Sequence, residues 1–278
     1  MELHEFLGIS SPIEIVDIGA SLAEEPIYKN ILTEGYGRVT GFEPNPAEIE
    51  KLNAQKKDYE TYLPYFIGTG LDATFYETNW ALTGSLFEPN EKLLNKFSNL
   101  GEATTLVQKH SVQTHRLNNV SEITDIDLLK MDIQGSELNA LRNGTEKLRH
   151  ALVVQVEVEF VELYKGQPLF ADVDIFLRHH GFQFHTFSGF GMRSFKPIVV
   201  DGNANVGLRQ SIWSDAIYVR DWMDLSQVAD EKLKKYAFIM HSCYGSYDLA
   251  HLVLSHLDTT VGSDYAPRYL AMITAGER

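Results

Sequence analysis

A chain of 278 residues is long enough for one large α/β domain with an appended piece. Its 24 Lys+Arg against 38 Asp+Glu give a net charge of −14, with no Lys/Arg-rich run, which speaks against a nucleic-acid partner because such affinity comes from cations that neutralise phosphates. No apolar stretch approaches the roughly 18 residues of a membrane span, the first ten residues lack the basic start of a signal peptide, and a lone Cys243 forbids an internal disulfide, so the chain reads as cytoplasmic.

The first predicted strand is Ile13–Ile18, an apolar run that carries Asp17 near its end and hands over to Gly19 and Ala20. The next residues, Ser21-Leu22-Ala23-Glu24-Glu25-Pro26, lack the later glycines that let a pyrophosphate sit on a helix N-terminus. "EPIYKNILTEG" predicts a short helix ending at Gly35 or Gly37. The second strand, Arg38–Phe42, has Glu43 at its tip. Such an acid accepts both hydroxyl hydrogens of a ribose, or else caps the helix that follows. In "FEPNP", Asn45 reads as the cap of that helix and Pro46 as its first residue.

Between Tyr62 and Leu117 short strand-like pieces alternate with polar loops, which predicts one core strand and a hairpin-like excursion on the ligand side. Ile126–Met131 and Leu152–Phe160 are two further core strands, Asp172–His180 a helix, and "GFQFHTF" and "SIWSDAIYVRD" the last two strands. From Ser226 onward the pattern is amphipathic and helical. Strands alternating with helices predict a doubly wound, mostly parallel sheet.

Ligands of such sheets bind outside the carboxyl ends of the strands. The residues to weigh are therefore Asp17, Gly19, Ala20 and Ser21, then Glu43, Pro44 and Asn45, then Gly68 to Asp72, then Asp132, with Glu157 and Glu159 on the fifth strand. An acid for a ribose without a phosphate cradle points to an adenosyl ligand such as S-adenosyl-L-methionine.

"VDIGA", "GFEPNP", "LLKMDIQGSELNAL" and "VVQVEVEFVELYKGQPLFADVDIFLRHHGF" resemble the FkbM-type methyltransferases, from about Ile13 to Asp221. The resemblance implies an α/β Rossmann-like class I methyltransferase with a seven-stranded sheet over residues 1–225. Residues 226–278 would be a C-terminal helical cap packed on it rather than an independent domain. It implies S-adenosyl-L-methionine as cofactor and a hydroxyl of a small molecule or glycan as acceptor. It sets Asp17, Gly19 and Ala20 near the methionine part, Glu43 on the ribose and the Gly68–Asp72 turn beside the adenine. Ser85, in "SLFEPN", sits in another similar segment. The chain departs from the family's D-x-G-A-N-x-G, reading Ala20-Ser21-Leu22-Ala23 where that pattern continues.

Methyl transfer to an alcohol needs a positioned acceptor and removal of its proton. Asp132 is the first candidate for acceptor binding or base; its other reading is a cap for the helix beginning at Ser136. Glu157 and Glu159 share one face of a strand that ought to be apolar on both, so they must meet water, cations or a ligand. They are candidates for substrate hydroxyls or base, or for pairing with Arg142, Arg149 or Lys130. His185 is a reserve base, Tyr164 and Gln167 candidates for the acceptor pocket, and Trp80 or Phe87 for the adenine. The histidines show no ligand spacing, so no metal is expected. Two other readings stand beside the transferase: a nicotinamide-dependent oxidoreductase, which lacks its glycine fingerprint, and a binding protein that kept the fold without turnover. A homodimer is left open.

Overall fold

The computed structural model describes residues 3–23 and 25–276. Its strands in chain order are β1 (Ile13–Ile18), β2 (Gly37–Phe42), β3 (Glu60–Leu63), β4 (Phe66–Ile67), β5 (Asp72–Thr78), β6 (Leu106–His115), β7 (Leu128–Met131), β8 (Val153–Glu159), β9 (Phe182–Met192) and β10 (Ser211–Arg220). Seven of them form the main sheet in the order β3-β2-β1-β7-β8-β10-β9. The pairs among β3, β2, β1, β7 and β8 are parallel, and β10 runs antiparallel between β8 and β9. The chain steps outward from β1 to β3 and then returns to lay β7 against the other side of β1. The order therefore reverses between β1 and β7, where open α/β sheets bind their ligands.

The helices are α1 (Leu3–Leu7), α2 (Lys29–Thr33), α3 (Pro46–Gln55), α4 (Glu91–Leu94), α5 (Leu100–Ala103), α6 (Glu137–Arg142), α7 (Thr145–Leu148), α8 (Phe170–His179), α9 (Asp230–Tyr244), α10 (Tyr247–Val261) and α11 (Tyr265–Thr274). At α3 the Asn45 side chain accepts the amides of Ala47 and Glu48, with Pro46 in the first turn, which is the cap that the sequence predicts. Helix α8 begins two residues earlier than expected. Asp172 sits inside its first turn and accepts the Leu169 amide at 2.9 Å.

The alternation along the strands sends side chains to two cores. Ile15, Leu128, Val153 and Ile217 pack with Leu233, Tyr236, Leu254 and Tyr269 of α9, α10 and α11. Val16, Leu129, Val154 and Val156 pack on the other face with Leu138 of α6 and Leu177 of α8. Each such side chain, fully buried, contributes about 1.5–3 kcal/mol relative to exposure. A third, smaller cluster gathers Leu94, Leu100, Leu163 and Ile212 beside the carboxyl ends.

The stretch expected to give one core strand is split. Pro64 has no amide to donate, so β3 ends at Leu63 and the chain restarts as β4 in a separate three-stranded sheet, order β4-β6-β5. That sheet is the predicted excursion, and it stands over the carboxyl end of the main sheet, where Phe66, Phe75 and His110 reach the cleft. Strand β7 begins at Leu128 instead of Ile126, because Asp127 turns its backbone and side chain to neighbours: its carboxylate takes the Glu14 amide and two lysines of α9. No helix among the described residues is long and apolar enough to cross a membrane.

Candidate active site

Parallel strands covered on both faces ought to be apolar throughout. On the face that α9–α11 cover, the central strands depart from this toward their carboxyl ends. Asp17 of β1 pairs in register with Lys130 of β7, and Lys130 with Gln155 of β8. Gln155 donates to Asp215 of β10 at 2.9 Å. This polar row forms one wall of a cleft of about 1630 Å³ that runs along the carboxyl ends.

The first turn enters the cleft through Asp17, Gly19 and Ser21. Asp17 is 3% exposed, and its oxygens accept the Tyr28 hydroxyl at 2.5 Å and the Lys130 ammonium at 3.3 Å. Gly19 has φ of +89°, and a Cβ there would lie 1.9 Å from the Asp132 carbonyl oxygen. Only glycine lets β1 and β7 turn over one another this closely. Ala20 does not line the cleft; it is buried, with its methyl group against Gly41.

Glu43, Pro44 and Asn45 line the cleft from the tip of β2. The Glu43 carboxylate accepts the Asn45 amide at 2.6 Å, its one hydrogen bond among the described residues. Burial pushes its pKa up to about 7, against the lowering effect of that bond. A half-buried carboxylate with spare acceptor capacity facing a cleft fits a ribose diol.

Gly68 and Asp72 lie outside the lining. The Gly68 amide is bound to the His115 carbonyl at 2.8 Å and Gly70 packs on Arg116, so that turn belongs to the second sheet. Tyr65, Phe66 and Ile67 reach the cleft from this segment instead. Trp80 lines it and is half exposed, whereas Phe87 does not reach it.

At the other end, Asp132 and Glu157 line the cleft from the tip of β7 and from β8. The two carboxylates share one side chain. Gln134 Nε2 donates to Asp132 Oδ1 at 2.8 Å and to Glu157 Oε2 at 2.7 Å. The Gln134 Oε1 accepts the Tyr164 hydroxyl at 2.8 Å, and its backbone carbonyl accepts the Ser85 hydroxyl at 2.6 Å. Gln134 itself sits at φ of +54°, a conformation that non-glycine residues hold only where surroundings enforce it. Asp132 does not cap the next helix, since Glu137 closes that turn by accepting the Ile133 amide at 2.8 Å.

Burial, reinforced by the charges of Asp132 and Glu159, holds Glu157 well above the usual carboxylate range. Burial, reinforced by Glu137, does the same to Glu159. Glu159 lies beneath the cleft rather than in its lining; it is 2% exposed and its Oε1 has no hydrogen-bond partner. Of the three cations predicted for these acids, Arg142, Arg149 and Lys130, the last pairs with Asp17 instead. Burial raises Glu137 to about 7 as well. Glu137, Glu157 and Glu159 thus form a cluster of acids with raised proton affinity at and beneath the cleft.

Sequence reasoning named the strand-tip acids but missed Gln134 as the link between them, Tyr28 as the partner of Asp17, and Lys130 as a member of the cleft wall. The one signal for Gln134 was its place before Gly135, two successive residues of positive φ. His185 is not near the site: it bonds the Ser246 hydroxyl at 2.6 Å, against the C-terminal helices. Tyr164 lines the cleft, and Gln167 is buried behind it, accepting the Tyr164 amide at 2.6 Å.

A seven-stranded sheet of this order, with its one antiparallel strand near the edge and its cleft at the β1/β7 reversal, defines a Rossmann-like class I methyltransferase fold. Residues 17–184 match the Methyltransferase FkbM domain, and the chain belongs to that family. The matched segment is thus a methyltransferase-family domain. A 100-residue stretch is 34% identical to the 2-O-methyltransferase NoeI of Sinorhizobium fredii; it spans 34% of this chain and 39% of that protein. Among solved structures, the magnesium protoporphyrin IX methyltransferase of Synechocystis is 10% identical with a TM-score of 0.40, covering 79% of this chain and 76% of that one. The precorrin-6y C5,15-methyltransferase of Geobacter metallireducens is 12% identical with a TM-score of 0.39, covering 78% and 85%. Likeness at that level adds nothing to what the strand order and the family match carry.

Proposed function

We propose that the protein methylates a hydroxyl of a small molecule or glycan, with Asp132 as the group that receives the hydroxyl proton. The observation that carries this is the Asp132–Gln134–Glu157 arrangement at the tips of the central strands. The name of the relative NoeI, a 2-O-methyltransferase, supports oxygen as the acceptor atom.

When bound, S-adenosyl-L-methionine supplies an electrophilic methyl group on a sulfonium. The strand order supports the following placement of its parts. Glu43, with Pro44 and Asn45, would hold the ribose at β2; the Asp17–Ser21 turn would run under the methionine part at β1; and Asp132 would face the acceptor at β7. Trp80 and Phe66 offer flat apolar surface to the adenine. Of the two linked acids, Glu157 has its proton affinity raised by burial and by the neighbouring carboxylates, whereas Asp132 is the one exposed to the cleft, where an acceptor hydroxyl can reach it. Gln134 holds both carboxylates in place with the two hydrogens of one amide. Of the expected cap over residues 226–278, the described part through residue 276 acts here to complete the sheet's core and not as a separate catalytic unit.

Release of S-adenosylhomocysteine is the assay, run over methyl glycosides and small polyols with free secondary hydroxyls. Asp132→Asn should lower kcat about 10²- to 10⁴-fold, the usual share of a general base, while the dissociation constant for S-adenosylhomocysteine stays within a few-fold. Full turnover in both Asp132→Asn and Glu157→Gln would remove the assignment.

A further inference from the structure

The cleft floor is rich in carboxylates, yet the cofactor's methionine part carries a carboxylate as well as an ammonium. Asp17, Asp132 and Asp215 suit the ammonium and the sulfonium and repel the carboxylate. Three side chains in the lining can carry positive charge: Lys130, Arg193 and His110. His110 stands on β6 and is paired with Glu77 at 2.6 Å. Arg193 follows β9, spends Nη1 on the carbonyls of Met192 and Asn205 and stacks on Trp213 at 4.9 Å, so it belongs to the far, acceptor end. Lys130 stands on β7 opposite Asp17 of β1, with Asp132 and Asp215 the other charges acting on it.

Lys130 is also unevenly satisfied. An ammonium has three donors. Its one hydrogen bond among the described residues goes to Asp17 Oδ1, and its side chain keeps 21% exposure toward the cleft. Asp17 does not depend on it alone, because its other oxygen takes the Tyr28 hydroxyl. A lysine kept only to neutralise Asp17 would have no reason to stay open to the cleft.

We propose that Lys130 is the anchor for the α-carboxylate of S-adenosyl-L-methionine. Asp17 and Tyr28 would then be the residues that hold the ammonium in position, and this chain would use a side chain from β7 where the substituted Ser21–Pro26 loop offers no glycine-rich backbone. The proposal rests on the orientation proposed above, with the ribose on Glu43.

The test is isothermal titration with two ligands, S-adenosylmethionine and its decarboxylated form, which keeps the sulfonium and the ammonium. The wild-type protein should prefer the first about 10- to 100-fold, the range of a hydrogen bond to a charged group. Lys130→Gln should erase that preference by weakening S-adenosylmethionine alone, and Lys130→Arg should keep part of it. If Lys130→Gln unfolds because Asp17 loses its counter-charge, the Asp17→Asn/Lys130→Gln double variant removes both charges together and should show the same loss of preference. A preference that survives in either variant, or an equal weakening of both ligands, overturns the proposal. Glu43→Gln separates the two ideas: it should weaken both ligands alike. If it weakens neither while Lys130→Gln still erases the preference, the ribose assignment fails and the carboxylate anchor stands.

Discussion

The two ends of β7 carry an aspartate each, and they are treated in opposite ways. Asp127, just before the strand, is fully buried, and both oxygens are committed: one to Lys232 at 2.6 Å, the other to Lys235 at 2.9 Å and to the Glu14 amide at 2.8 Å. Asp132, just after it, is exposed to the cleft and stands among Glu157, Glu159 and Glu137 with an amide as its partner. The first end has a cation for every charge and ties the C-terminal helices to the sheet. The second leaves carboxylates in excess, which costs stability and raises the proton affinity of Glu137, Glu157 and Glu159. A paired acid fixes structure, and an under-paired one is available for a ligand or a proton.

The sharpest way to break this contrast is at the paired end. Asp127→Asn leaves the buried Lys235 ammonium without a counter-charge and Lys232 with Asp125 alone, and should cost about 3–5 kcal/mol of unfolding free energy in denaturant titration. The folded fraction should still bind S-adenosylhomocysteine with unchanged affinity. A variant that lost binding without losing stability would show that the two ends are not separate in role.

The under-paired end should respond to pH. Glu43 is raised from 4.5 to about 7, and a ribose diol donates to its ionised form. Affinity for S-adenosylhomocysteine should therefore be constant above about pH 7.5 and fall by up to tenfold per pH unit below 7. In Glu43→Gln the dependence should vanish along with the tight binding. Calorimetry across pH 5.5–8.5 measures both, and a flat wild-type profile would contradict the role given to Glu43.

Glu159 should give the smallest effect. Its folded-state proton affinity exceeds its unfolded one, so its contribution to stability is full below about pH 4.5 and is lost as pH rises through its elevated folded value. Glu159→Gln should then raise the Tm of the unliganded protein at pH 8 by about 2–4 °C, the shift expected from roughly 1 kcal/mol in a domain of this size, and change it little at pH 4.5. A lower Tm at pH 8 would mean that the charged form is needed for folding.

Much of the site was legible because strand ends can be read from the sequence. Asp17 lies near the end of an apolar run, Glu43 and Asp132 follow theirs directly, and the parallel order places all such tips on one edge. The Asn45 cap was legible for the same local reason. What stayed hidden depends on partners remote in the chain. Gln134 gains its meaning from Glu157 and Tyr164, which are 23 and 30 residues away. Asp127 gains its own from lysines 105 and 108 residues away. The Gly68–Asp72 turn was misplaced because one proline, Pro64, moves the following strand into another sheet.

The central claim is that the ligand lies along the carboxyl ends from β2 to β7. A crystal structure of the complex with S-adenosylhomocysteine measures this most directly. The account predicts both ribose hydroxyls within hydrogen-bond distance of the Glu43 carboxylate and the sulfur facing Asp132 past Gly19. A ligand whose ribose does not touch Glu43, or whose sulfur points away from Asp132, would contradict it.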